Sequence, residues 1–287
     1  MKKKPLYIDP RIVVGERREK MSLPVLREVT DDMEAYLGRP MPEIATDWWE
    51  RKELTHQTEE QILQSAPNPQ PILDFYADTD YYLYECSYWE AQADKQREYR
   101  KVSLACKRFG LKKVLDYGGG TGGSVLYFRK RGIPCDYLDV PGKTYSFAKW
   151  RFNKRNLNVS MFSARDDNTL PASGYDAVMA YDVLEHLFDV PAAIRRISST
   201  LRPGGILFAK STFGGGGAHL HQNEVYENLK EFNHLLESNH LDFLGQLKAD
   251  RFSQALAHIG LRYVVIKTRI VPRMKSGGNF LLYRKRP

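Results

Sequence analysis

The run Val114-Leu115-Asp116-Tyr117-Gly118-Gly119-Gly120-Thr121-Gly122-Gly123 places an acid directly ahead of glycines at alternate positions. Glycine at Gly118, Gly120 and Gly122 lets backbone approach a ligand where any side chain would collide. The run reads as a buried strand, an acid, a tight turn and the start of a helix. Free N–H groups of that helix N-terminus aim at whatever binds there. This is the chemistry of a nucleotide-cofactor cradle. Ile133-Pro134-Cys135-Asp136-Tyr137-Leu138-Asp139 reads as a second strand ending in an acid, and Asp139 lies 21 residues beyond Gly118. At that spacing a carboxylate can take both ribose hydroxyls. Nicotinamide-binding proteins share this logic, so glycines plus one acid leave the cofactor open.

Two later segments narrow it. One is Tyr175-Asp176-Ala177-Val178-Met179-Ala180-Tyr181-Asp182-Val183-Leu184-Glu185-His186-Leu187; the other is Leu201-Arg202-Pro203-Gly204-Gly205-Ile206-Leu207. With Leu-Asp-Tyr-Gly and the strand ending at Asp139, these four pieces in this order resemble the class I S-adenosylmethionine-dependent methyltransferases. The Asp-Val-Leu-Glu-His stretch is most similar to the small-molecule branch, such as quinone-biosynthesis methyltransferases. The resemblance covers roughly residues 95–285 and explains neither the first ninety residues nor the segment around 214–249. It implies a Rossmann-like α/β fold with a seven-stranded sheet whose last strand is antiparallel. The implied cofactor is S-adenosylmethionine, with S-adenosylhomocysteine as product.

The same resemblance assigns roles by position. Asp116 orients the glycine turn near the methionyl end of the cofactor, and Asp139 takes the ribose. Asp166 and Asp167 stand where the family holds the adenine amino group, with the register between them open. Tyr181 and Asp182 end the fourth strand, where acceptor meets methyl. The Asn/Asp-Pro-Pro-Tyr-type motif of nucleic-acid base N-methyltransferases is replaced here by Tyr-Asp-Val-Leu, which weighs against amino methylation. A hydroxyl or carbon acid must lose a proton near the moment of attack, and a histidine titrating near neutrality suits that role. Glu185, His186, His219 and His221 are the titratable candidates, the histidines foremost, set against structural packing for His186. Alternation puts His219 and His221 on one side of an extended chain; two such ligands without a third do not make a metal site, and none is expected.

The elements that must position these groups follow from periodicity. Helix and strand alternate after residue 90, the pattern of a parallel sheet covered on both faces. Strands are expected at 112–117, 134–139, 157–162, 175–181, 206–211, 261–268 and 279–285, with helices at 91–109, 121–131, 143–155, 190–201 and 250–259. Two segments are additional. Residues 1–90 read as helical: Ser22 caps a helix carrying Leu26, Val29, Met33 and Leu37, closed by Gly38, and Thr58 with Gln61 forms a capping box for a second. Residues 214–249 open with four glycines, pass His219 and His221, and continue as a helix with Val225, Leu229, Phe232 and Leu236 on one face. Ligands of such sheets bind beyond the carboxyl ends of the strands. Residues 1–90 are therefore expected to form a helical cap or lid, 91–287 the cofactor-binding domain, and 214–249 a lid insertion after the fifth strand. In the aromatic run 75–89, Tyr81, Tyr82 or Tyr88 is expected to wall cofactor and substrate, with Tyr88 as the cofactor contact; the alternative is plain helix packing.

Composition sets the outer bounds. A chain of 287 residues can bury one large core or one core plus a small domain. No apolar run approaches the ~20 residues a membrane span needs. Cys86, Cys106 and Cys135 show no metal-ligand spacing and read as reduced thiols of a cytoplasmic protein. The net charge of +8 is scattered along the chain, which argues for a solvated surface and against nucleic acid as partner. The expected activity is methyl transfer to a small-molecule acceptor, at oxygen or carbon rather than nitrogen. Three other readings stay open: an S-adenosylmethionine-using enzyme that cyclises it or transfers its alkyl chain, an RNA methyltransferase, and a non-catalytic cofactor-binding protein. The oligomeric state is open, a homodimer included.

Overall fold

A computed structural model describes residues 21–65, 70–166, 170–213, 226, 228–249, 264–267 and 280–287. Among them, five helices precede the first strand, beginning with α1 (Leu23–Leu37), α2 (Met41–Ser65), α3 (Gln70–Asp78) and α4 (Tyr81–Ala91). Helix α5 (Ala93–Phe109) leads into β1 (Val114–Tyr117), followed by α6 (Gly123–Arg129), β2 (Cys135–Asp139), α7 (Lys143–Lys154), β3 (Met161–Ser163) and β4 (Tyr175–Tyr181). Then come α8 (Val190–Thr200), β5 (Leu201–Lys210), α9 (Leu229–Ser238), β6 (Leu241–Ala249), β7 (Val264–Lys267) and β8 (Leu281–Lys285).

The strands form one sheet in the order β3-β2-β1-β4-β5-β8-β6-β7. Strands β1 to β5 pair in parallel, and β8 is antiparallel to both β5 and β6. The seven-stranded pattern with an antiparallel last strand is thus present, and β7 adds a further edge strand on β6. Strand β6 lies in the segment expected to be a lid insertion, for which the sequence implies no strand. Its signal is blurred by a register shift between Phe243 and Gly245, since a bulge interrupts the alternation by which a strand is recognised. Residues 229–249 therefore belong to the sheet and its covering layer. Residues 214–225, with His219 and His221, lie outside the described residues. So does the expected helix at 250–259.

Side chains of β4 alternate between two cores. Ala177 and Met179 pack with Val102, Phe128 and Phe152 on one face. Val178 and Ala180 pack with Ile194, Ile197 and Phe232 on the other. That is the period-2 alternation of a strand buried on both sides. A third cluster joins Leu26, Val29, Met33, Trp48 and Tyr81 of the preceding helices to Phe147 of α7. Helix α1 ends as its sequence implies, with Gly38 left-handed at φ 66 and its N–H bonded to Glu34 O. The Thr58–Gln61 capping box does not form: α2 runs straight through, and the Thr58 hydroxyl donates to Leu54 O at 2.8 Å. A threonine inside a helix finds its own preceding turn as readily as a helix start offers a free amide.

Candidate cofactor and acceptor cleft

The carboxyl ends of β1, β2 and β4 converge beneath α4 and the first turn of α5. The turn after β1 is pinned to β2: Gly118 and Gly119 donate to Leu138 O at 2.9 and 3.1 Å, and the Tyr137 hydroxyl donates to Gly120 O at 2.6 Å. Asp139 reaches back to the same turn, accepting from Gly120 N and Val140 N, both at 2.6 Å. Burial pushes the Asp139 carboxyl up to about 6, with those two amides opposing it. Asp116, next to last in β1, is 3% exposed and accepts from the Ser124 hydroxyl. Burial lifts it to about 7 against that hydrogen bond.

Two compartments meet at this turn. The inner one is lined by Lys95, Tyr99, Asp116, Ser124, Tyr181 and Asp182 among others. The outer one has about 1020 Å³ of empty space, part of it open to solvent, and runs past Asp139, Val140 and Thr144 to His186 and Phe188. Cys86, Trp89, Gly118, Gly120 and Asp182 line both, so they form one cleft. At Gly120, φ is +53, and a Cβ would project toward the cleft with only Cys86 nearby, at 3.7 Å. A side chain there would fill the space that the turn encloses.

At the end of β4, Asp182 has φ 51, a left-handed conformation rare outside glycine. It accepts from Lys95 Nζ at 3.0 Å, and the same ammonium lies 3.4 Å from the centre of the Tyr181 ring. Lys95 was not singled out in the sequence. Its only signal was a lysine in the first turn of the helix before β1, where the helix dipole does not favour a cation. His186 lies on a short 3-10 turn, Leu184–His186, and lines the outer compartment. Glu185, next to it, turns inward: it is 1% exposed and accepts from Thr212 N at 2.9 Å. Burial, helped by the charge of Asp182, raises it to about 7.

The other expected site residues are placed differently. Tyr88 packs in the cap, its ring 5.8 Å from that of Trp48, and is absent from the described lining. Its neighbour Trp89 lines the cleft instead, with Tyr82 and Tyr76. One residue of helical turn, about 100°, separates the two faces. Asp166 is exposed beyond β3, its carbonyl held by Arg196, and lines neither compartment. Asp167 lies outside the described residues. Gly122 caps α6 rather than lining the cleft.

A buried ion cluster joins the cap to the glycine turn. Arg151 of α7 is 0% exposed. It donates to both oxygens of Glu90 at 2.6 and 2.9 Å, to Asp32 at 2.9 Å and to Thr121 O at 2.9 Å. Lys154 and Arg155 complete the shell of Asp32. Glu90 sits against Gly123, where any Cβ would overlap its carboxyl. The last glycine of the motif thus makes room for α4.

A family model described as a methyltransferase domain matches residues 62–264. The ubiquinone biosynthesis O-methyltransferase of Rhodopseudomonas palustris (strain BisB5) is 30% identical over 115 residues, covering 40% of this chain and 45% of that protein. A hybrid PKS-NRPS synthetase of Fusarium sp. (strain FN080326) is 31% identical over 115 residues, 37% of this chain and 3% of that one. The match to the first of these spans under half of its length. The crystal structure of Burkholderia thailandensis 1,6-didemethyltoxoflavin-N1-methyltransferase, with bound 1,6-didemethyltoxoflavin and S-adenosylhomocysteine, superposes with a TM-score of 0.50 at 19% identity, over 78% of this chain and 92% of that one. At that identity the likeness is one of fold.

Proposed function

Because the chain belongs to the methyltransferase-domain family and is a class I S-adenosylmethionine-dependent methyltransferase, we propose that it methylates a small-molecule acceptor, at oxygen or carbon rather than nitrogen. The observation that carries this is the single cleft, which joins the glycine turn to an aromatic-walled compartment under the cap. A cleft so enclosed suits a small acceptor better than a polymer.

The residues fit the cofactor. The open side of Gly120 leaves room for it, and Asp139 stands at the rim of the turn with lone pairs free for ribose hydroxyls beyond its two amide bonds. Lys95 and Asp182 present a cation and an anion side by side, complementary to the zwitterionic amino-acid end. Asp116 acts through Ser124 to hold the start of α6. When bound, the cofactor supplies a methyl group on a sulfonium sulfur for direct displacement. The protein's part is positioning and exclusion of water: Trp89, Tyr82 and Tyr76 wall the outer compartment, and orientation there is what lowers the barrier. His186 is the base candidate among the described lining residues, placed to accept the proton that an acceptor hydroxyl or carbon acid gives up. His219 and His221 are candidates of the same kind by sequence alone.

The test is product identity. Incubation with S-adenosylmethionine and a panel of phenols and enols should give S-adenosylhomocysteine and acceptors heavier by one methylene, read by mass spectrometry. Methylthioadenosine in its place would replace methyl transfer with alkyl transfer or cyclisation. Methylated amines with untouched hydroxyls would reverse the preference for oxygen and carbon.

A further inference from the structure

The net charge of the chain is +8, yet the cleft does not share that sign. The ionisable side chains lining the outer compartment, among the described residues, are Glu85, Asp139, Asp182 and His186 beside the Cys86 and tyrosine groups; no lysine or arginine is among them. Lys95 faces the inner compartment and is already engaged by Asp182 and the Tyr181 ring. Behind the aromatic wall stands a further acid. Glu59 is 0% exposed and accepts from the Tyr76 hydroxyl at 2.8 Å and the Tyr82 hydroxyl at 2.9 Å. Both phenols are thus directed at Glu59. Glu85, 6% exposed, accepts from Tyr81 at 2.9 Å. The thiol of Cys86, between the compartments, is pushed up to about 12 by burial and then by the charges of Glu85 and Asp139. It senses the same negative field.

A cavity of one sign with low-dielectric walls concentrates ions of the opposite sign and repels its own. A sulfonium is welcome in such a field. A carboxylate or phosphate brought against Glu85 would be desolvated with no lysine or arginine among the described lining of the outer compartment to meet it. We propose that the acceptor bears no carboxylate or phosphate on the part that enters the cleft, and that Glu85 is the residue that excludes anionic relatives. This rests on the methyl-transfer reading and adds the charge class of the acceptor to it.

Cys86 is a native reporter, because Cys106 and Cys135 are buried. The full-length chain is treated with a cationic and an anionic methanethiosulfonate of matched size, each rate normalised to that with a free thiol. The cationic reagent should modify Cys86 at least about tenfold faster. Glu85→Gln should reduce that ratio about threefold or more, with a thermal melt confirming that the variant folds. Equal rates, or failure of both reagents to reach the thiol, overturns the proposal. So does an acceptor acid methylated with a kcat/KM equal to that of its amide. Calorimetry with S-adenosylhomocysteine separates the two levels. If it binds and the reagent ratio is flat, only the charge inference falls; if it does not bind, the methyl-transfer reading falls as well.

Discussion

Asp139 is joined to the glycine turn before any ligand arrives, through the amides of Gly120 and Val140. On the proposed assignment, replacing it with alanine removes a ribose acceptor and also frees the turn. Calorimetry should show S-adenosylhomocysteine binding weakened by about tenfold to a hundredfold, the range of one or two charge-assisted hydrogen bonds; unchanged affinity would reject the ribose assignment. The raised carboxyls have a second consequence. Asp116, Asp139 and Glu185 sit at about 7, 6 and 7 in the fold, above the ordinary value near 4 of an unfolded chain. Between about pH 4 and 7 the folded chain keeps protons that the unfolded chain has released, so stability from these groups falls as pH rises through that window. Glu28, Asp32 and Asp47 behave oppositely. Despite the cost of burial, their lysine and arginine partners hold them below the usual range, so their contribution is lost only in acid. The ligand-free chain should therefore melt at a higher temperature near pH 5 than near pH 7.5, and Asp116→Asn should flatten that slope. S-adenosylhomocysteine binding should run the other way, tightening from pH 5.5 to 7.5 as Asp139 ionises. The acids at 116 and 139 stand out in sequence because each lies at or next to the end of a short apolar strand near the glycine turn. Lys95 was not, because a lysine on a helix carries no mark of what lies across the fold from it.

Helix α1, α4 and α7 meet at Arg151, and that junction decides what the cap can do. Removing one member of a buried ion cluster leaves its partners charged and unpaired, typically a loss of about 3–5 kcal/mol. Arg151→Met should lower stability by about that much in denaturant melts, while Arg151→Lys, which keeps the charge and loses the bidentate contact, should lose less. A change under 1 kcal/mol in Arg151→Met would mean the cap is held chiefly by its apolar contacts. The cap helices themselves were readable: the Leu26, Val29, Met33 stripe and Gly38 gave α1 with its end. The cluster that fastens them was not, since Asp32, Glu90 and Arg151 lie 58 and 61 positions apart in pairs of ordinary surface-type residues. Strand β6 is weakly marked in sequence for a local reason, the shift at Gly245, and an aromatic run on a helix does not announce which of its residues face the cleft.

Across the whole molecule, surface charge and cleft charge disagree. Lysine and arginine exceed acids by 43 to 35, yet cations are spread over helix ends such as Lys107 and Arg108 of α5 and are missing from the described lining of the outer compartment. Binding to a single-stranded RNA oligomer should accordingly be weak at physiological salt and should not compete with S-adenosylhomocysteine in a filter assay; tight binding with a steep salt dependence would revive the RNA reading. The positions of strands β1 to β5 were legible because glycine turns and strand-ending acids are local signals repeated along the chain; their order in the sheet is not a local property. Which segments close over the cleft depends on packing between parts far apart in sequence.

The room that Gly123 leaves for Glu90, and the grip of Arg151 on Glu90 and Asp32, make helices α1 and α4 and the sheet with its α7 a matched set. A chimera that grafts a foreign cap onto this body, or exchanges residues 21–91 in a recombination library, would leave a guanidinium stranded in the interior. Diversification of the acceptor wall will succeed through α3, the rim at 183–188 and the single turn around Glu85, and will fail by wholesale exchange unless positions 32, 90 and 151 travel together.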